Sequence, residues 1–225
     1  EKMTGARVTH AHFVPGGVRN DLPPNFEDVC LRQVNYFEKR IKEYAAVFYD
    51  NPILIARTAN TGVLSREDAI RLGTTGSVLR ASGVDYDIRK KEPYDVYEEL
   101  DFQTNVLKEG DSYARSKIPW LDMMESCRII RHALQKMPKS GSVRVKLKPN
   151  PKGGDASVYK RVESGRGSLG CYIVSDKKPE PYRVKLSVPS FRNLIALPYL
   201  LKGEKLGNMP SVYWSLNYWP VEADR

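Results

Sequence analysis

Residues 74–133 read TTGSVLRASGVDYDIRKKEPYDVYEELDFQTNVLKEGDSYARSKIPWLDMMESCRIIRHA. The first part, 74–92, is punctuated by Gly76 and Gly83 and reads as a loop that positions Arg80 and Arg89. From Asp111 the pattern turns helical and predicts a helix to about Met137. Pro119 lies inside it and predicts a kink or break, because proline lacks an amide proton and crowds the preceding turn. Arg80, Arg89 and Arg115 have two readings. They form an anion-facing surface of forked donors, or they are structural ion pairs with Asp87, Asp111 or Glu109.

Upstream, Cys30, Val34, Phe37, Ile41, Tyr44 and Phe48 alternate spacings of four and three. That predicts an amphipathic helix over 25–49, capped by Asn25 and stopped at Asn51-Pro52. Its apolar stripe, Phe37 included, is expected to pack on the helix that follows Asp111. A short helix is expected at 66–72, with Ser65 as cap, Asp68 in the capping-box position and Gly73 ending it. After Pro138 the pattern changes. Residues 143–148, 157–163, 168–175 and 182–188 read as extended, with Gly165 and Gly167 marking a hairpin turn. Lys152-Gly153-Gly154 reads as a flexible loop, and 190–202 as a helix interrupted at Pro198. The expected fold is α+β, with a mainly helical part, 1–138, and a small antiparallel β-containing α+β part, 139–225.

The chain has 225 residues, 41% hydrophobic and 28% charged, enough to bury a sizeable core. No run approaches the roughly 18 apolar residues of a membrane span, and the N-terminus lacks the apolar core of a signal peptide. The net charge of +9 is spread along the chain without a basic block or an RNA-binding aromatic motif. It therefore points to acidic protein partners and not to nucleic acid. Cys30, Cys127 and Cys171 are isolated from one another, which argues against a disulfide scaffold or a metal site in this chain.

Gly76, Leu79, Arg80, Ala81, Ser82, Gly83, Asp87, Arg89, Lys90, Pro93 and Tyr94 occur at fixed spacing, followed by Gly110, Asp111, Arg115, Met123 and Ser126. This pattern resembles the 49 kDa (D-type) subunit of complex I, the respiratory NADH–quinone oxidoreductase. The resemblance extends to Thr4, Gly5, Arg7, Pro15, Gly16, Gly17, Val18, Asp21, Leu22 and Pro23. It continues through GRGSLGCYIVSD (165–176) to the ending WSLNYWPVEADR (214–225). The family's N-terminal G-P-Q-H-P-x-x-H-G segment is absent, so the chain reads as the C-terminal portion of a longer subunit or a relative that has lost its first half.

The resemblance implies a fold like the nickel–iron hydrogenase large subunit. It also implies a subunit of a proton-pumping oxidoreductase that passes electrons from NADH, or from a reduced deazaflavin, to quinone. On that basis this chain binds no cofactor itself. The quinone lies at a subunit interface, and a 4Fe–4S cluster lies in the neighbouring B-type subunit. Further expected partners are the other subunits and the membrane arm, with the chain peripheral on the cytoplasmic face of the cell membrane. The isolated chain is expected to be catalytically silent.

The site residues follow from the same resemblance. His10 stands near the cluster-adjacent histidine position, where Thr9 takes one alignment, and Arg80 is a second cluster-adjacent candidate. Asn217, Trp219, Arg225 and Arg166 are candidates for the quinone site. Ser168 replaces the family's glutamate, Asp122 replaces another, and Val14 and Pro119 stand where the family has arginine. The hydrogenases' two terminal cysteine ligands are Trp219 and Glu222 here, so the thiolates nickel needs are missing. Two rival readings remain: a membrane-bound hydrogenase large subunit, and a non-catalytic scaffold or assembly protein of the same fold.

Overall fold

The computed structural model describes residues 1, 3–147 and 153–224. Expectations that fall on Arg225, on Lys152 and on residue 148 lie outside those residues. The chain opens with a small antiparallel hairpin, β1 (Phe13–Val14) and β2 (Gly17–Val18). The extended segment expected from residue 143 does not join a larger sheet. It docks on this hairpin through a bridge between Gly17 and Arg144, with Val18 N–H donating to Val143 O at 3.0 Å and Val145 N–H to Gly16 O at 2.8 Å.

Helix α1 spans Phe26–Phe48. Asn25 does not cap it through its side chain; it adopts φ 57° and makes no side-chain cap bond. Asparagine tolerates this left-handed conformation, and the Asn25 carbonyl accepts the Val29 N–H at 3.1 Å instead. The buried line of α1 is Val34, Ile41 and Ala45. The expected stripe is therefore rotated. Phe37, Tyr44 and Phe48 lie on its flanks, 46%, 60% and 45% exposed.

Helix α2 (Pro52–Thr58) starts on Asn51, whose side chain accepts the Ile53 N–H at 2.9 Å. Helix α3 (Arg66–Arg71) has the expected cap: Ser65 Oγ accepts the Asp68 N–H at 3.0 Å. The stretch 74–92 is not simply a loop. It holds two short helices, α4 (Ser77–Ala81) and α5 (Ile88–Lys91), the second capped by Asp87.

Helix α6 (Ser112–Lys136) is capped by Asp111, which accepts the Ala114 N–H at 2.8 Å. It runs through Pro119 without a break. Tertiary contacts hold the turns on either side. Tyr49 Oη donates to Ser116 O at 3.0 Å, Tyr113 Oη to Tyr49 O at 3.1 Å, and Trp120 Nε1 to Ile41 O at 3.4 Å. A proline removes one helical bond, and packing of α1 along α6 outweighs that loss.

Strands β3 (Asp155–Ser164), β4 (Gly167–Asp176) and β5 (Arg183–Ser187) form an antiparallel sheet in that order. A two-residue turn, Gly165-Arg166, joins β3 to β4 with Ser164 opposite Gly167. The remainder is helical: α7 (Pro189–Leu194), α8 (Leu197–Leu201), α9 (Met209–Ser215) and α10 (Pro220–Ala223). Pro198 sits in the first turn of α8, and the interruption falls at Ile195-Ala196. The architecture is thus mixed helix with small antiparallel sheets. Its main core joins Leu64, Ala69, Val78 and Leu79 to Ala196, Leu200, Val212 and Leu216, across the 138/139 boundary.

Candidate functional site at the hairpin tip

The β3–β4 tip is pressed against the start of α4. Gly76 has φ 63°, and a Cβ there would lie 2.3 Å from Arg166 O. Glycine is the residue that permits so close an approach. Thr75 Oγ1 accepts the Ser168 N–H at 3.0 Å, locking the tip to the loop before α4. Asn193, fully buried on α7, holds the same loop from the other side: its Oδ1 accepts the Thr75 N–H at 2.8 Å, and its Nδ2 donates to Thr75 O at 3.2 Å.

The C-terminal tail meets this tip. The Arg166 guanidinium lies 5.3 Å from the Trp219 ring centroid, within cation–π range. The Arg166 Nε is buried without a hydrogen-bond partner among the described residues. Trp219 is anchored by its backbone N–H, which donates to Ser190 Oγ at 3.2 Å, and remains 53% exposed. Glu222 accepts from both the hydroxyl and the N–H of Ser190, the latter at 3.2 Å. Glu222 thus fastens α10 to α7. Asn217 is half-buried after α9, at φ 51°, with its N–H donating to Trp214 O at 3.1 Å. The structure therefore brings Arg166 and Trp219 together and leaves Asn217 two residues away.

His10 and Arg80 are placed differently. His10 is exposed on the N-terminal segment, its Nδ1 3.2 Å from Thr4 Oγ1. Arg80 is buried, and its ion-pair partner is neither Asp87 nor Asp111 nor Glu109 but Asp122 on α6, gripped by two bonds of 2.8 and 2.7 Å. Arg89 does pair with Asp87, at 3.0 and 2.7 Å. Burial pushes the Asp87 carboxyl up, but the Arg89 bonds prevail and hold it below its ordinary range. Arg115 has no carboxylate bond. It donates to Ser215 Oγ at 3.0 Å, Gly110 O at 2.6 Å and Ser112 Oγ at 3.0 Å. Burial pulls it down to about 10, against the attraction of Asp111.

Sequence reasoning passed over Asn193 and Ser190, whose partners lie far along the chain, and Glu163, an ordinary polar position in an alternating strand. Asp122 and Glu222 were visible only as departures from a pattern. Among the described residues no group of three His, Cys, Asp or Glu side chains is placed to hold a metal ion. Nor is any helix among the described residues long and apolar enough to cross a membrane.

The chain is similar to components of respiratory oxidoreductase complexes. A model of the family "Respiratory-chain NADH dehydrogenase, 49 Kd subunit" matches residues 1–154 and 143–225. The D-type subunit of the F(420)H(2) dehydrogenase of Methanosarcina mazei is 40% identical over all of this chain and 62% of its own length. The D-type subunit of the NADH-quinone oxidoreductase of Desulforamulus reducens is 39% identical over all of this chain and 61% of its own length. A solved structure of the membrane-bound sulfane sulfur reductase (MBS), an archaeal respiratory membrane complex, contains a chain that superposes with a TM-score of 0.93 at 36% identity. That match covers all of this chain and 62% of the other. The chain belongs to the family of the 49 kDa subunit of the respiratory-chain NADH dehydrogenases. It spans about three-fifths of the length of the relatives it matches.

Proposed function

We propose that the chain helps form the quinone site of a proton-pumping NADH–quinone or deazaflavin–quinone oxidoreductase. The observation that carries this reading is the Arg166–Trp219 contact, which joins the hairpin tip to the C-terminal tail. These are two of the segments assigned to the quinone site by resemblance. A half-exposed indole beside a guanidinium offers a flat apolar face and a fixed positive charge, the pairing that suits a planar ring with carbonyl oxygens. Asn217 supplies a hydrogen-bonding amide at the margin, and Arg225 completes the proposed set.

In this reading the electrons arrive from a 4Fe–4S cluster in the adjoining B-type subunit. His10, exposed on the N-terminal segment, faces that subunit. Arg80 acts on the cluster through its field, since its guanidinium is already held by Asp122. This chain itself binds neither NADH nor a cluster and is silent when isolated. The assembly sits on the cytoplasmic face of the membrane, with the chain peripheral to the membrane arm. The ancestry shared with the hydrogenase large subunit belongs to the same reading.

The test is Trp219→Ala in the complete complex. Quinone-dependent turnover or inhibitor sensitivity weakens, while electron transfer to an artificial acceptor upstream stays normal. Unchanged quinone kinetics and unchanged inhibitor binding in a fully assembled variant remove this segment from the site and favour a scaffold role. The solved relative is a sulfane sulfur reductase, so a sulfur acceptor at the same tip is the second reading. Trp219→Ala that impairs sulfane sulfur reduction in a complex without quinone activity selects it.

A further inference from the structure

Five charged side chains lie within one another's fields where β3 passes α5. Two are arginines, and each is already taken: Arg80 by Asp122 and Arg89 by Asp87, both through two bonds. The fifth is Glu163 on β3. No side chain among the described residues hydrogen-bonds its carboxylate. With Glu163 ionised, the set of two cations and three anions carries one uncompensated negative charge in a largely buried place. With Glu163 protonated, the set is neutral. Burying an unpaired charge is costly, and a group so placed takes up a proton instead.

The surroundings of Glu163 are defined on every side. Arg80 acts on it from α4, Asp87 and Arg89 from α5, and Asp122 from α6. Tyr94, just after α5, accepts the Glu163 N–H on its Oη at 3.0 Å. Arg161, two residues back on the same face of β3, is turned to Glu92 and does not neutralise it. Across the ladder Glu163 pairs with Ser168. The Ser168 hydroxyl is buried and has no partner among the described residues, and the same holds for Arg80 Nε and Ser77 Oγ. Ser77 and Arg80 lie three apart on α4 and share one face of it. Orphaned buried polar atoms are rare in folded proteins and call for a partner. Here one stands directly opposite the unpaired carboxyl.

We propose that Glu163 is a proton-binding site of this protein, the unpaired member of a largely buried five-charge cluster. Uptake forms one O–H bond between the carboxylate and a proton from solvent; no electron moves and no other bond breaks. Burial first, and the nearby Asp87 second, push Glu163 up to about 7, so the site is partly loaded at neutral pH. Negative charge arriving in its surroundings draws a proton in, and positive charge expels it. This holds whichever acceptor the hairpin tip meets.

The test is a carboxyl-carbon NMR titration of the full chain with labelled glutamate. Glu163→Gln identifies the signal by its loss. The expected result is a Glu163 midpoint near neutral pH, well above the ordinary glutamate value of 4.5. In Asp122→Asn, Arg80 loses its anion, and the Glu163 midpoint falls by about a unit or more. A wild-type midpoint in the ordinary carboxylate range overturns the proposal, and that titration decides it even where Asp122→Asn does not fold. A midpoint unmoved in a folded Asp122→Asn protein overturns the charge cluster as its cause. Neither result bears on the quinone reading, which Trp219→Ala tests separately.

Discussion

Arg80 and Asp122 meet as fork on fork, with Nη1 and Nη2 each donating to a different carboxylate oxygen at 2.8 and 2.7 Å. The arginine side chain is 4% exposed, so α4 is bolted to α6 by a charge that cannot reach water. Asp122→Ala strands that charge. Removing one partner of a buried pair costs roughly 3–5 kcal/mol. The partial exposure of Asp122 puts this site at the low end of that range, read as a lowered urea midpoint with an unchanged slope.

Helix α1 offers a paired comparison. Ile41 is 3% exposed and Phe37 46% exposed on the same helix. Ile41→Ala is expected to cost about 2–5 kcal/mol and Phe37→Ala about 1 kcal/mol or less. Equal losses in denaturant unfolding would show that a partner, or more of this chain, covers the Phe37 flank.

Glu163 gives a pH signature with a definite sign. Its proton affinity in the fold, near 7, exceeds the ordinary value of 4.5. The folded state therefore holds more protons than the unfolded state between those values, and the contribution of Glu163 to stability falls as pH rises through that window. It is fully present below about 4.5 and lost above about 7. Glu163→Gln removes this dependence. Relative to wild type it is more stable at pH 8 than at pH 4 by about 2–3 kcal/mol, measured as the difference in unfolding free energy at the two pH values.

Gly76→Ala tests the close approach of α4 to the hairpin. The added methyl meets both an unfavourable φ of 63° and the Arg166 carbonyl at 2.3 Å. The loss exceeds the roughly 1 kcal/mol of the backbone effect alone. It is accompanied by a change in Trp219 fluorescence, because Arg166 is displaced from the indole. Loss of stability without a spectral change would separate the tip from the tail.

Local signals were legible in the sequence. Ser65 caps the helix it was expected to cap, the helix expected from Asp111 begins there, and the hairpin turns at Gly165-Arg166, where Gly165 and Gly167 marked it. The family was legible too, because its fixed spacings survive substitution. What the sequence concealed was long-range. The partner of Arg80 lies two helices away. The buried line of α1 is rotated because a helix face is chosen by what packs on it: Val34 and Ile41 of the expected stripe are buried, and Ala45 joins them in place of the three aromatics. Helices α4 and α5 are too short to show a period. At the candidate site, Arg166 and Trp219 were named separately. Their contact depends on how the tail folds back, which no local pattern records.

The main core joins Leu64 and Val78 to Val212 and Leu216, residues roughly two-thirds of the chain apart. During synthesis on the ribosome the early helices emerge long before the residues that will cover them. Their apolar faces stay open until α9 clears the exit tunnel, and non-local pairing of this kind is slow to form and prone to aggregation while it waits. The C-terminal residues that frame the candidate site therefore arrive together with the ones that close the core. A nascent chain cut short before α9 is left for chaperones and proteases, so few copies with an unfinished tail survive to be assembled.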